Sequence, residues 1–358
     1  MPETNATILI PDISGFTEFM TTTELSHSSH AINYLIDAIV NAVGEEYELA
    51  EVEGDAVLLI KKGPAPSKKE IQDICLKIFN AFHYQRKWMQ QHTVCPCGAC
   101  MAIINLSLKF VVHHGPVAEI KVGRFVKPSG PELIVAHRLL KNSIGNNEYL
   151  LLTEKLLQQV GDEPEVEMVW TRSSEEYPSI GKIDYRFALL NEARKNVPEP
   201  PLPQNEYRTD NTSYLEMQIA ADFMDVYMMI TAIPGRAEWV PNLKKVEQEG
   251  TNVYVGSVHR CTFDNYDAVL SPMRMTVSDE GIMYAESCRI DEMNLVLVYE
   301  YVFRKTGDKA SIFSCRFMNA HESQLPEATT AVLFGNLQMM AERLKEYCEK
   351  TYVEGIKV

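Results

Sequence analysis

The sequence predicts an α+β protein of two domains with largely antiparallel sheets. Three observations lead there. The first half runs strand, helices, hairpin, helix, hairpin, helix, with apolar spacing switching between the two periods. Residues 191–207 carry Pro198, Pro200, Pro201 and Pro203 among charged neighbours, the composition of an extended linker. Beyond it the pattern becomes a run of alternating strands closed by one long helix. The division expected is 1–193, a linker at 194–206, and 207–358; a chain of 358 residues suits about two domains.

The formal net charge of −15 argues against a nucleic-acid backbone or an anionic membrane as the main partner, and leaves room for a local basic nucleotide site. No apolar run approaches membrane-spanning length, so no membrane insertion is expected. The polar start Met1-Pro2-Glu3-Thr4-Asn5 is unlike a signal peptide, and eight mostly scattered cysteines read as reduced thiols. The expected location is cytoplasmic.

Residues 8–17 open the first domain: an apolar strand ends on Asp12, and Ser14-Gly15-Phe16 turns into a helix. Asp12 suits either a metal ligand at a strand end or a helix cap. A second helix follows, capped by Ser26 or Ser28, with Ile32, Leu35, Ile36, Ile39 and Val43 at helical spacing. Gly54-Asp55 between two apolar runs signals a hairpin, and Asp55 at its turn meets Asp12 if the two strands are neighbours. A long helix spans 69–91, and 106–112 is a strand that His113-His114-Gly115-Pro116 turns back into 117–122. Gly130-Pro131 starts a helix ending at Gly145-Asn146-Asn147. A strand at 149–152 and edge strands within 166–190 complete the domain.

Asp12-Ile13-Ser14-Gly15-Phe16-Thr17, Gly54-Asp55-Ala56, His113-His114-Gly115-Pro116-Val117 and the helix from Gly130 to Arg138 together resemble, in order and spacing, the motifs of class III nucleotide cyclases. The resemblance covers about residues 6–150 and implies a ferredoxin-like cyclase-type domain. It implies that Asp12, the backbone carbonyl of Ile13, and Asp55 hold Mg or Mn against a purine nucleotide. It implies base reading at Glu51 and Lys127; glutamate at the first position goes with guanine, although Glu51 also reads as a solvent-facing strand residue beside Glu53. Arg138 stands at the place of the arginine that stabilises charge on the α-phosphate. The family's transition-state asparagine falls on Ile134, which cannot donate a hydrogen bond. Family sites form at a dimer interface, so a homodimer is implied. The variant is similar to an uncharacterised bacterial group of cyclase-like domains that carries the same cysteine cluster and Gly-Pro-Glu-Leu-Ile-Val-Ala-His-Arg helix.

That cluster, Cys95, Cys97 and Cys100, suits zinc if a fourth ligand joins, a redox pair, or packing of a turn by reduced thiols.

In the second half a strand at 213–221, a helix at 223–230, and strands at 252–263, 268–277, 282–289, 295–303 and 311–319 lead to a helix from Pro326. This order, with the Trp239-Val240-Pro241 turn, resembles the START-like (SRPBCC, polyketide cyclase-type) helix-grip fold over about 207–352. The resemblance implies an apolar cavity for a hydrophobic small molecule or lipid. Met228, Trp239, Met273, Met275, Met283, Leu333, Leu337 and Met340 suit its wall, or equally an ordinary core. Arg274, Arg289 and Arg316 alternate with apolar residues and read as outer-face positions, the alternative being that one points inward to meet a ligand's acid group.

The expected function is a degenerate cyclase-like nucleotide-binding domain coupled to a ligand-binding domain in a regulatory or sensory role. The alternative is an active cyclase favouring GTP over ATP. An aromatase-type activity of the second domain ranks last, because no convergent acid–base pair is evident there.

Overall fold

The computed structural model describes residues 3–23, 25–95, 98–123, 125–160, 168–201, 214–248, 253–278, 281–320 and 325–353. The chain divides into two compact units: Met1–Gln90 with Cys97–Pro200, and Gln91–Pro96 with Pro201–Val358.

Unit 1 is built from β1 (Thr4–Ser14), α1 (Phe16–Thr22), α2 (Leu25–Val43), β2 (Glu48–Glu53), β3 (Ala56–Lys62), α3 (Lys68–His92) and α4 (Gly98–Ala102). It continues with β4 (Ser107–Val122), β5 (Phe125–Ser129), α5 (Pro131–Leu139), β6 (Tyr149–Thr153), α6 (Glu154–Val160), β7 (Trp170–Tyr177) and β8 (Gly181–Leu189). The sheet order is β2-β3-β1-β4-β6-β8-β7, with β5 paired to the far end of β4. Among the described residues of unit 1, only β4 and β6 run parallel. The period-2 alternation of β1 splits its side chains between two cores. Leu9 and Ile13 join the core that holds Leu35, Ile39, Ile78 and Phe82 of α2 and α3. Ala6, Ile8 and Ile10 join the core under Leu133 and Ala136 of α5. Asp12 continues that second register and so belongs to the α5 side of the sheet.

One expectation fails here. His113-His114-Gly115-Pro116 does not turn the chain back; β4 runs unbroken through it. Gly115 and Pro116 stay in register with Ala6 and Asn5 of β1. The pairing of β4 with β6 ends at Val112, so the proline removes no ladder donor on that side. Gly115 is needed for space: a Cβ there would lie 2.7 Å from Glu132 Cγ. The helices α4 and α6 were also not anticipated, and neither Ser26 nor Ser28 caps α2, because the helix already begins at Leu25 and both serines lie within its first turns.

Unit 2 contains β9 (Leu215–Ile219), α7 (Phe223–Thr231), β10 (Leu243–Gln248), β11 (His259–Phe263), β12 (Asp267–Ser278), β13 (Gly281–Ile290), β14 (Leu295–Gly307), β15 (Ala310–Asn319) and α8 (Glu327–Val353). Its sheet, β10-β11-β12-β13-β14-β15-β9, is antiparallel throughout. The sequence reading misses β10, whose Lys-Lys-Val-Glu-Gln run is too polar to stand out, and places the start of β11 too early. Asp222 caps α7, its carboxylate accepting from the Met224 amide. Leu337, Ala341, Leu344 and Cys348, at spacings of three and four, bury one stripe of α8 against the sheet and α7.

Candidate functional site

The two acids read from the sequence are neighbours. Asp12 lies opposite Ala56, the residue after Asp55, in the β1–β3 ladder. The Ile13 amide donates to the Asp55 carbonyl at 3.1 Å. The hairpin turn is thereby fixed to the end of β1. Asp12 is 7% exposed. Burial, and then the Asp12 charge, raise the carboxyl pKa of Asp55 above the ordinary value. Two carboxylates sharing a partly buried site call for a cation. Lys109 supplies one, with Nζ 2.9 Å from Asp12 Oδ2. Lys109 sits directly across from Asp12 in the β1–β4 ladder. Sequence reading missed it. The available signal was a lysine within the apolar run 106–112, on the face opposite Leu108 and Phe110.

A second constellation lies at the other positions singled out from the sequence. The Lys127 ammonium reaches Glu51 Oε2 at 2.6 Å and Glu53 Oε1 at 3.6 Å. Glu51, Glu53, Lys127, Ile134, His137 and Arg138 line one open cleft of about 630 Å3. Ile134 is 55% exposed there. Arg138 is exposed, and no ion pair of it occurs among the described residues. The cleft therefore juxtaposes an acid–lysine pair and an uncommitted guanidinium, but does not include Asp12 or Asp55.

The helix carrying Ile134 and Arg138 is anchored at its first turn. Glu132 Oε2 accepts from His113 Nε2 at 2.5 Å, Glu132 Oε1 pairs with Lys155 Nζ at 2.5 Å, and His113 Nδ1 meets Thr153 Oγ1 at 2.8 Å. Burial lowers the pKa of His113, and Lys155 and His113 lower that of Glu132 against the opposing effect of burial. The His-Gly-Pro motif thus holds α5 against β4 and β6.

Cys95 and Cys100 are half-buried thiols, and Cys97 lies outside the described residues. Among the described residues no three His, Cys, Asp or Glu side chains form a metal-binding group. No described helix is long and apolar enough to cross a membrane.

Unit 2 holds a cavity of about 310 Å3 between the sheet and α8. Of the residues named from the sequence, Leu333, Leu337 and Met340 line it. Trp239 is buried in the adjoining core, with Met228 and Met275 packed against that core instead of on the cavity wall. Met273 and Met283 are half-buried on β12 and β13. Arg274 and Arg289 are exposed. Arg316 pairs with Glu300 at 2.7 Å. It lies on the side of β15 opposite the inward-facing Phe313 and Cys315. The cavity's polar floor went unread: Arg236 and Glu286 form a buried bidentate ion pair, 2.7 and 2.8 Å. It is a charge pair and not a proton-transferring one, because the guanidinium keeps its proton. Its signal was Glu286 in the inward register of Ile282, Tyr284, Cys288 and Ile290.

The chain belongs to the same family as a mycobacterial protein. It is 30% identical over 173 residues to the "Uncharacterized protein Rv2561/Rv2562" of Mycobacterium tuberculosis, an alignment covering 48% of this chain and 78% of that protein. The family model described as "Protein of unknown function (DUF2652)" matches residues 32–149. Solved structures similar to about half of the chain include the guanylyl cyclase Cya2, with a TM-score of 0.39, 14% identity, and coverage of 52% of this chain and 92% of that one. The adenylyl cyclase CyaB from P. aeruginosa gives 0.37, 14%, 52% and 95% for the same quantities. A bacterial light-regulated adenylyl cyclase gives 0.40, 15%, 55% and 94%.

Proposed function

We propose that unit 1 is a cyclase-type domain that binds a metal–purine nucleotide with an incomplete catalytic set. Unit 2 is a START-like domain that binds a hydrophobic small molecule, and the two together serve a regulatory or sensory role. The observation that carries the first part is the cleft joining Glu51, Lys127, Ile134 and Arg138. A carboxylate beside an ammonium complements the Watson–Crick edge of guanine. Glu51 accepts from N1–H and the 2-amino group, and Lys127 donates to O6. Adenine offers a carboxylate only its 6-amino donor on that edge, so guanine is favoured. Arg138 is placed to meet a phosphate.

The donors at Asp12, Asp55 and the Ile13 carbonyl fit Mg or Mn, hard cations that take oxygen ligands. The pKa of Asp55, raised by burial and then by the Asp12 charge, fits the same reading, since a divalent ion offsets both. When bound, the metal supplies charge neutralisation at the triphosphate. The protein's own part is to hold Asp12 by Lys109, fix Asp55 through the Ile13 amide, and keep α5 aligned through Glu132. Leu49, Val52, Ile120, Val126 and Ile134 are exposed on unit 1, apolar surface that a second copy of the chain would cover. Loss of one preorganised donor, at Ile134, leaves binding intact and cyclisation slow.

Calorimetric titration of the full chain with non-hydrolysable GTP and ATP analogues in Mn2+ tests this. The GTP analogue should bind on the order of tenfold more tightly, and Glu51→Lys should abolish that preference. Failure of both analogues to bind at millimolar concentration sinks the proposal.

A further inference from the structure

We infer that the unit 2 cavity takes a neutral, largely apolar molecule bearing one oxygen acceptor, a carbonyl or hydroxyl, which is received by the Arg236 guanidinium. This rests on the reading of unit 2 as an apolar-ligand domain and adds the head group that reading leaves unspecified. The cavity wall is mainly apolar and aromatic, with Leu270, Ile290, Tyr299, Leu333 and Met340 among its residues. Its volume of about 310 Å3 lies at the small end of ligand sites.

The polar floor decides the chemistry. Arg236 Nε donates to the Ile230 carbonyl at 2.7 Å, while Nη1 and Nη2 donate to the two oxygens of Glu286. That uses three of five guanidinium N–H groups. Two remain without a partner among the described residues, on a side chain 4% exposed that lines the cavity. Glu286 has no such surplus. Its oxygens also accept from Tyr284 at 2.9 Å and Tyr301 at 3.0 Å, which fills their four lone-pair sites. The floor therefore offers donors and no free carboxylate acceptor, so a ligand group that only donates gains nothing there.

Charge excludes the other obvious occupant. Glu286 already neutralises Arg236, so a carboxylate ligand would bring an unbalanced negative charge into a buried site against Glu286. His259, with its pKa lowered to about 4 by burial and by Arg236, does not supply the missing positive charge at neutral pH. Asp264, also on the wall, is itself an acid, and its 2.8 Å pairing with Lys244 takes up that lysine's charge. A neutral oxygen acceptor meets the spare N–H groups without that cost.

Three probes of one shape separate the possibilities on the full chain: 2-acetylnaphthalene, 2-isopropylnaphthalene and 2-naphthoate, with dissociation constants from ligand-observed NMR. The ketone should bind on the order of tenfold more tightly than the hydrocarbon and more tightly than the carboxylate. In Arg236→Met/Glu286→Met, which removes both charges together, ketone and hydrocarbon should bind equally. Equal binding of the two to the unaltered protein overturns the head-group assignment and leaves the apolar cavity standing. Tightest binding by 2-naphthoate overturns the charge argument. Binding by none of the three overturns the apolar-ligand reading itself, and the assignment with it.

Discussion

Glu286→Leu will destabilise unit 2 by about 3–5 kcal/mol, while Arg236→Met/Glu286→Met will lose far less. The single change leaves a guanidinium 4% exposed without its counter-ion. Both variants strip the acceptor from the Tyr284 and Tyr301 hydroxyls, each on the order of 1 kcal/mol, so the difference between them comes from the orphaned charge. The double change removes the charge pair together and replaces it with side chains of similar length that pack among apolar neighbours. Tyr301→Phe removes one donor only and should cost about 1 kcal/mol. Urea unfolding followed by hydrogen exchange at β13 and β14 measures all three. The order should be Glu286→Leu far above the other two. Equal losses in the single and double variants would mean that side-chain volume matters here and charge does not.

Ile134→Asn will raise formation of cyclic GMP from GTP by on the order of 10²–10³, because it restores one preorganised donor at the cleft. The change is tolerable structurally. Ile134 is 55% exposed on α5, so its replacement should alter stability by no more than about 0.5 kcal/mol. Product is read chromatographically after incubation with Mn2+ and GTP, and unfolding of the same sample confirms the fold. Unchanged product in a folded Ile134→Asn protein would remove the missing donor as the reason for slow chemistry. Arg138→Ala in the Ile134→Asn background should take the gain away, since both side chains belong to one helix and one cleft.

What sequence made legible was local. A strand ending on Asp12 and a hairpin turning at Asp55 are written in adjacent residues, and the ladder brings them together. The start of the helix behind Gly130-Pro131 was equally plain, because proline at the first helical position is a local signal, although the helix ends at Leu139 and not at Gly145-Asn146-Asn147. What escaped depends on pairing between distant segments. Lys109 meets Asp12 only because β4 lies against β1 in one register, a fact no window of ten residues contains. The unbroken course of β4 through Pro116 follows from which neighbour ends where. Arg236 and Glu286 are fifty positions apart, one in a turn and one in mid-strand, and their partnership is tertiary. A trace of it was readable: a carboxylate in the inward register of an otherwise apolar strand needs a buried partner. The methionines misled for a related reason. Their flexibility suits cavity and core alike, and only packing separates Met340 on the wall from Met228 and Met275 against the core.

We propose that Asp12 near the end of β1 and Asp55 at the adjoining hairpin turn together hold a divalent cation with a purine nucleotide. Electron paramagnetic resonance of Mn2+ titrated into the full chain with a non-hydrolysable GTP analogue tests it directly. Beyond the loss that the nucleotide alone causes in a protein-free blank, the free Mn2+ signal should fall further with the unaltered protein, and with Glu51→Gln at higher nucleotide concentration. That further loss should be absent in Asp12→Asn and in Asp55→Asn, both folded by hydrogen exchange. Binding of Mn2+ by Asp12→Asn as tight as by the unaltered protein would contradict metal binding by the paired acids.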